Sequence, residues 1–150
     1  MTLGILAGVT TAEAALSVSP SRVVLNAKPT EVRTGFFMLE NRGQAPLEIR
    51  VEVEDWSQGI HGQRGSVGWL TVRPAALKLQ PGKRAKVKYA IRVPRQAQGE
   101  LRAQVFFTTE QIAGAVPIRS RLGAIVYVGI EGTEHIAGVM TTVTAFYTAS

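Results

Sequence analysis

The stretch that decides the fold is LEIRVEVE, residues 47–54. Leucine, isoleucine and valine alternate there with glutamate and arginine at every second position. Successive side chains of an extended strand point to opposite faces, so this period of two predicts an antiparallel strand with one buried and one solvated face. A helix would repeat its apolar residues every three or four positions. The pattern therefore indicates a chain built from strands.

The same alternation returns twice in the second half of the chain. It is clear in KVKYAIRV, residues 86–93, which Pro94 ends, and in LRAQVFFT, residues 101–108, which follows Gly99. Gly and Pro punctuate the rest, and a Pro-Gly pair at residues 81–82 is typical of a type II turn. Weaker strands are expected at 16–25, 32–41, 69–72 and 77–79, with a turn at 41–46 and a long loop at 57–68. Seven or eight strands at this spacing predict an all-β, two-sheet antiparallel β-sandwich of immunoglobulin type.

Composition agrees with one folded domain and excludes several kinds of active site. The chain has 150 residues, 45% of them hydrophobic, and no cysteine. A disulfide framework, a thiol nucleophile and cysteine-based zinc sites are thereby excluded. The two histidines, His61 and His135, stand in no catalytic or metal-binding motif, and no glycine-rich loop precedes a helix. We therefore expect a protein that is not an enzyme and that has no catalytic residues, no cofactor and no metal. We interpret Glu52 and Glu54 as carboxylates that pair with basic residues across a solvated sheet face.

The net charge of +6 favours anionic partners, but its arrangement matters more than its sum. The densest basic stretch, residues 83–92, alternates with apolar residues from Lys86 onward. This is the pattern of a strand with one wet face, and exposed aromatic residues interleaved with the basic ones are missing from the stretch. A solvated sheet face is the preferred interpretation, and nucleic acid is not an expected partner.

The two ends of the chain are interpreted separately from the sandwich. Residues 1–14, MTLGILAGVTTAEA, have the form of a residual secretory signal peptide with an A-x-A cleavage site. A disordered or loosely strand-like N-terminus is the alternative. The domain is expected at residues 15–132, followed at 133–150 by an extra strand or the start of a missing second domain. No run of eighteen apolar residues occurs, so no transmembrane helix is expected.

One segment departs from alternation, since LGAIVYVGI, residues 122–130, is apolar on both faces. Such a strand must be covered on both faces. The second sheet can cover one face. The other could be covered by residues 134–150, by a further domain, or by a partner that adds a strand beside it.

The order of these signals resembles a known family. The segments that carry the resemblance are SPSRVVL (19–25), LEN (39–41) with QAPL (44–47), WLTVRP (69–74), LQPG (79–82) and GELR (99–102). As an ordered set they resemble the N-terminal domain of the PapD-like periplasmic pilus-assembly chaperones, over about residues 15–128. The resemblance implies a PapD-like immunoglobulin-type fold and export to the periplasm.

The resemblance also implies a mode of binding. In that family the last strand of the first domain pairs with a subunit that lacks a strand, while two basic residues hold the C-terminal carboxylate of the subunit. Arg22 matches the first basic position, although it could equally be a surface arginine paired with a neighbouring carboxylate. The second basic position falls near Ala124, which leaves Arg119 and Arg121 as substitutes. The donor strand implied by the resemblance comprises Ala124, Ile125, Val126, Tyr127 and Val128.

Two expectations concern side-chain packing. Because Ile125 and Tyr127 are the bulkier pair, we expect them to fill the core, with Ala124, Val126 and Val128 pointing away from it. Trp69 is expected to be buried, with Trp56 capping the same end of the sandwich.

The function expected from the sequence is that of a chaperone or assembly factor in pilus (fimbrium) biogenesis. Its partners would be pilin-like subunits or other envelope proteins, with self-association through the exposed edge strand as a further prediction. The alternative is a structural or adhesive immunoglobulin-like module of the cell envelope. The strand at 122–130 discriminates the two, because a chaperone leaves its backbone available and a structural module covers it.

Overall fold

The computed structural model describes residues 15–56, 68–113 and 116–132. Within these ranges, side chains are described for all residues except 111–113, 116 and 117. These residues form nine strands and no helix, and so contain no helix that could span a membrane. The strands are β1 (Leu16–Ser19), β2 (Arg22–Ala27), β3 (Val32–Asn41), β4 (Leu47–Asp55), β5 (Leu70–Arg73), β6 (Ala76–Leu79), β7 (Arg84–Arg92), β8 (Glu100–Ala113) and β9 (Val116–Ile130). The predictions of a signal peptide at 1–14, of a loop over 57–67 and of a further strand or domain at 133–150 lie outside the described residues.

The strands form two sheets packed face to face, as the all-β prediction requires. One sheet has four strands in the order β1-β3-β7-β5, and the other has five in the order β2-β9-β8-β4-β6. Neighbouring strands are antiparallel except β2 and β9, which run parallel. The domain is therefore an immunoglobulin-type sandwich whose last described strand is joined to a strand from the start of the chain.

The core consists of the apolar rows read from the alternating stretches. In β4, Leu47, Ile49 and Val51 are buried while the residues between them are exposed. Phe37 of β3 and Phe107 of β8 are fully buried, and their rings meet edge to face with centroids 5.6 Å apart. This contact joins the two sheets, since β3 and β8 belong to different ones.

The first predicted strand, residues 16–25, is two strands in different sheets. β1 pairs with β3, and after Pro20 the chain crosses to pair with β9. Alternation alone could not show this division, because a strand that changes sheets keeps its apolar residues directed inward. The switch places Arg22 at the first position of β2.

A buried asparagine explains two of the short motifs. The Asn41 amide group donates hydrogen bonds of 2.9 Å to the carbonyls of Ala45 and Leu79, and its side-chain oxygen accepts one of 2.9 Å from the Gly43 amide. The Gly82 amide donates to the Asn41 carbonyl at 2.8 Å. With φ +73° at Gly82 and a Lys83-to-Gln80 hydrogen bond of 3.1 Å, the Pro-Gly turn has the predicted type II form. Asn41 thus holds two turns together from a fully buried position.

The two tryptophans behave differently. Trp69 is 5% exposed, as predicted, and its indole N–H donates to the Asp55 carboxylate at 3.2 Å. Trp56 is 48% exposed, so the prediction that it caps the core was wrong. Its backbone amide donates to the Arg102 carbonyl just beyond the end of β4, which leaves the ring outside the core.

Candidate functional site

β9 has two different environments along its length. From Ile125 to Ile130 it lies between β2 on one side and β8 on the other. From Val116 to Ala124 it pairs with β8 alone among the described strands. We call this second part, Val116–Ala124, the open edge. The predicted donor strand at 124–128 is therefore misplaced, because β2 already occupies the second side of Ile125, Val126, Tyr127 and Val128.

The prediction of side-chain direction along β9 was also wrong. Ala124, Val126 and Val128 are fully buried, whereas Ile125 is 47% exposed and Tyr127 is half-buried. The reason is the register with β8, since residues directly opposite in an antiparallel pair share a face. The residues of β8 that face the core lie opposite the residues of β9 that are buried. The pairs are Val105 with Ala124, Ala103 with Val126 and Leu101 with Val128. The register with β8, and not the bulk of the side chains, therefore determines which residues of β9 face the core.

In the open edge, the peptide groups of alternate residues point to the side of β9 that β2 occupies from Ile125 onward. The Ile125 amide donates a hydrogen bond of 3.0 Å to the Ser21 carbonyl, so the peptide groups of odd-numbered residues face that side. The β8–β9 register runs without a bulge from Val116 to Gly129, which carries this alternation back to Arg119, Arg121 and Gly123. Residue 117, on the same side, is a proline. Proline within a sheet is tolerated where its missing N–H faces a side with no neighbouring strand, and none of the described strands lies on that side of Pro117.

Two apolar side chains of the open edge are only partly covered by the sandwich. Ile118 and Leu122 lie in the same row as the buried Ala124, yet Ile118 is 46% exposed and Leu122 is half-buried. The strand begins at Val116, several residues before the predicted apolar segment at 122–130. The sequence interpretation missed both residues, although the alternation of Ile118 and Leu122 with Arg119 and Arg121 was a usable signal.

Arg22 lies where the open edge ends. It is the first residue of β2, its partner in the parallel register is Ile125, and its side chain is exposed. No hydrogen bond or ion pair of its guanidinium occurs with any residue that the structure describes. The alternative in which Arg22 pairs with a neighbouring carboxylate therefore finds no support in the described part of the chain.

The other two predicted basic residues do not join Arg22. Arg121 lies four positions before Ile125, which corresponds to about 13 Å along a strand. Its guanidinium contacts Glu54 at 3.1 Å and lies 3.6 Å from the centroid of the Phe106 ring. Arg119 pairs with Glu110 at 3.4 Å. Both cations are thus balanced by carboxylates of their own sheet, whereas Arg22 has no carboxylate partner among the described residues.

A polar cluster lies beside Arg22 on the same face. The Arg102 guanidinium contacts Glu100 at 3.0 Å and lies 5.6 Å from the centroid of the Tyr127 ring. The pKa of the Glu100 carboxyl is lowered, mainly by the hydrogen bond that it accepts from the Tyr127 hydroxyl and also by Arg102. Burial, together with that same hydrogen bond, raises the pKa of Tyr127. The Glu100 carboxylate is thus balanced by its neighbours.

Comparison with known proteins gives likeness in structure only. No protein-family model and no curated protein matches the sequence. The PapD-like domain 7 of human CEP192 matches with a TM-score of 0.60 at 14% identity, over 87% of this chain and 96% of that one. The CsuC–CsuE chaperone–tip adhesion subunit complex of Acinetobacter baumannii matches with 0.60 at 15% identity, over 79% of this chain and 58% of the matched chain. The complex of the Salmonella enterica SafA pilin with the SafB chaperone matches with a TM-score of 0.58 at 13% identity, over 78% of this chain and 55% of the matched chain.

These likenesses establish the fold. The chain has a PapD-like, immunoglobulin-type sandwich, as the resemblance in its sequence predicted. It spans little more than half the length of the matched chains from the two pilus complexes.

Proposed function

We propose that the chain is a non-enzymatic assembly chaperone of the periplasm that binds pilin-like subunits by strand addition at the open edge, Val116–Ala124. The observation that carries the proposal is the change in pairing along β9. One side of this strand is occupied by β2 from Ile125 onward and is unpaired before it among the described strands. A strand of a partner can therefore continue the sheet in line with β2.

Backbone hydrogen bonds would supply much of the affinity. The peptide groups of Arg119, Arg121 and Gly123 face the unpaired side, so an added strand finds donors and acceptors at every second residue. An unpaired edge of this kind is a template for pairing with another chain.

Apolar side chains would supply the rest. Ile118 and Leu122 project on the core side of the sheet beyond the point where the sandwich covers them. A subunit that lacks one strand of its own sandwich has a groove into which such a row fits. Ile118 is the more exposed of the two and would lose the most accessible surface on binding.

Arg22 would set the direction of the added strand. A strand running parallel to β9 would bring its C-terminus to the start of β2, where the Arg22 guanidinium is exposed. A strand running the opposite way would bring its N-terminal ammonium to the same cation. Charge therefore favours the parallel direction and a C-terminal carboxylate at Arg22.

The test is co-purification of the full chain with a pilin-like subunit from the same genome. Ile118→Glu should lower the amount of bound subunit at least tenfold, because it places a charge in the groove of the partner. Val32→Glu is the matched control, since Val32 is similarly exposed but belongs to the other sheet. Equal binding by the Ile118→Glu variant and the parent would favour the structural-module interpretation instead.

A further inference from the structure

The outer face of the four-stranded sheet carries most of the excess positive charge of the described residues. Across β3, β7 and β5 the outward positions follow from the register; the charged ones are Arg73, Arg84, Lys86, Lys88, Arg92 and Glu40. Five cations thus stand against one carboxylate. We call this surface the basic face. Its chemistry is independent of the open edge, which lies in the other sheet.

The outer face of the five-stranded sheet is balanced by comparison. Its outward cations are Arg22, Arg50, Lys78, Arg102, Arg119 and Arg121, and its outward carboxylates are Glu48, Glu52, Glu54, Glu100 and Glu110. Several of them pair directly, as Arg121 does with Glu54. The asymmetry between the two faces concentrates the field on the basic face.

Most cations of the basic face have no carboxylate partner among the described residues. Glu40 pairs with Arg84 at 3.1 Å and with Arg42 at 3.6 Å. Arg73, Lys88 and Arg92 have no carboxylate within ion-pair distance in the described part of the chain. They are therefore available to an anionic partner.

An exposed aromatic ring lies among these cations. Phe36 is 46% exposed, and its register row across the sheet continues through Lys88 to Arg73. The Lys86 ammonium lies 4.5 Å from the centroid of its ring. Tyr89, the aromatic residue within the basic stretch, packs against Phe37, and the exposed ring comes from the neighbouring strand β3.

We propose that the basic face docks the domain on the surface of a bilayer that contains anionic phospholipids. The cations extend over about 27 Å along β7, with Arg73 of β5 beside Lys88, and the exposed Phe36 ring of β3 lies on the other side of Lys88. A layer of lipid headgroups offers phosphates to these cations and an apolar boundary to the ring, whereas an extended acidic peptide offers anions alone. Phe36 can enter the boundary between headgroups and acyl chains, where aromatic rings on a basic surface are favoured.

Docking through this face would leave the open edge accessible, because the two surfaces lie on different sheets. Docking on a bilayer therefore does not depend on whether the open edge binds a subunit, and it can be measured without one.

The test is sedimentation of the full chain with vesicles of phosphatidylcholine containing 30% phosphatidylglycerol, and with pure phosphatidylcholine vesicles, at low and high salt. The parent should bind the anionic vesicles in a salt-dependent way and should not bind the neutral ones. The double variant Lys86→Gln/Lys88→Gln should bind about 30-fold more weakly, given roughly 1 kcal/mol for each cation at an anionic surface. Phe36→Ser should weaken binding without changing its salt dependence.

The matched control is Arg50→Gln/Lys78→Gln, which removes the same charge from the opposite sheet. Its affinity should stay within about twofold of the parent value. Circular dichroism verifies that each variant is folded. Equal losses in the two double variants, or binding to a polyglutamate peptide without binding to the anionic vesicles, would overturn the proposal.

Discussion

Arg22 lies directly opposite Ile125 in the parallel pairing of β2 with β9, at the point where the open edge ends. The Ile125 amide completes this junction with a hydrogen bond of 3.0 Å to the Ser21 carbonyl. Among the described strands, pairing on this side of β9 therefore begins at the position of the exposed Arg22. The open edge therefore ends beside the Arg22 guanidinium, a position suited to a terminal carboxylate.

Replacing Arg22 by Ala should weaken binding of a peptide that ends with the C-terminal strand of a pilin-like subunit. Loss of one partner from a desolvated pair of arginine and carboxylate costs roughly 2–5 kcal/mol, whereas a pair at the rim costs below about 1 kcal/mol. Titration calorimetry measures the difference. Arg50→Ala, another exposed arginine of the same sheet, serves as the control. An unchanged affinity in the Arg22→Ala variant would exclude the anchor role.

Substitutions along β9 should separate its two faces. Val126→Glu places an unpaired charge in the core and should cost about 4 kcal/mol or more, which is enough to unfold a marginally stable domain. Ile125→Glu, one position away on the outer face, should change the free energy of unfolding by about 1 kcal/mol or less. Chemical denaturation followed by circular dichroism measures both. Equal destabilisation by the two substitutions would show that both faces of the strand are covered.

The two tryptophans offer a matched test of the core. Trp69→Ala should lower the free energy of unfolding by about 3–5 kcal/mol, because it empties a buried site and leaves Asp55 without the indole donor. Trp56→Ala should cost below about 1 kcal/mol, since that ring is half exposed. Thermal melting of the two variants gives the comparison. A Trp56→Ala variant as unstable as Trp69→Ala would contradict the packing described for this end.

Tyr127→Phe should raise the pKa of Glu100 toward its usual value of 4.5, because the variant loses the hydroxyl that donates to the carboxylate. A carboxyl whose pKa is lowered by folding stabilises the domain above its unfolded pKa, and this contribution is lost as the pH falls through the folded value. The variant should therefore lose less of its stability on acidification. Carboxyl NMR titration checks the pKa, with Tyr89→Phe in the other sheet as the control. An unchanged Glu100 pKa would show that the hydroxyl has no such effect.

Local alternation was sufficient for most of the sandwich. The rows containing Ile49, Val87 and Phe107 are buried where the period of two places them, because each strand has one solvated and one apolar face. Alternation could not assign the faces of residues 122–130, where both rows are apolar. The clear alternation of β8 together with its register would have done so, by placing Ala124 beside the inward Val105.

The candidate site was less predictable than the fold because it depends on long-range pairing. The position of Arg22 follows from a parallel contact between the start and the end of the domain, and no local pattern encodes such a contact. The same contact removes Ile125 from the available edge. The exposed Phe36 within the basic face likewise arises between strands, since Lys86 and Lys88 belong to β7 and the ring belongs to β3.

Hydrogen–deuterium exchange of individual β9 amides, with and without a pilin-like subunit, tests strand addition at the open edge most directly. In the free chain the amides of Arg119, Arg121 and Gly123 should exchange rapidly, while that of Ile125, already bonded to Ser21, should be protected. On binding, the first three should become protected and Ile125 should change little. Bound subunit without protection of these three amides, or with protection confined to another edge of the sandwich, would contradict the account.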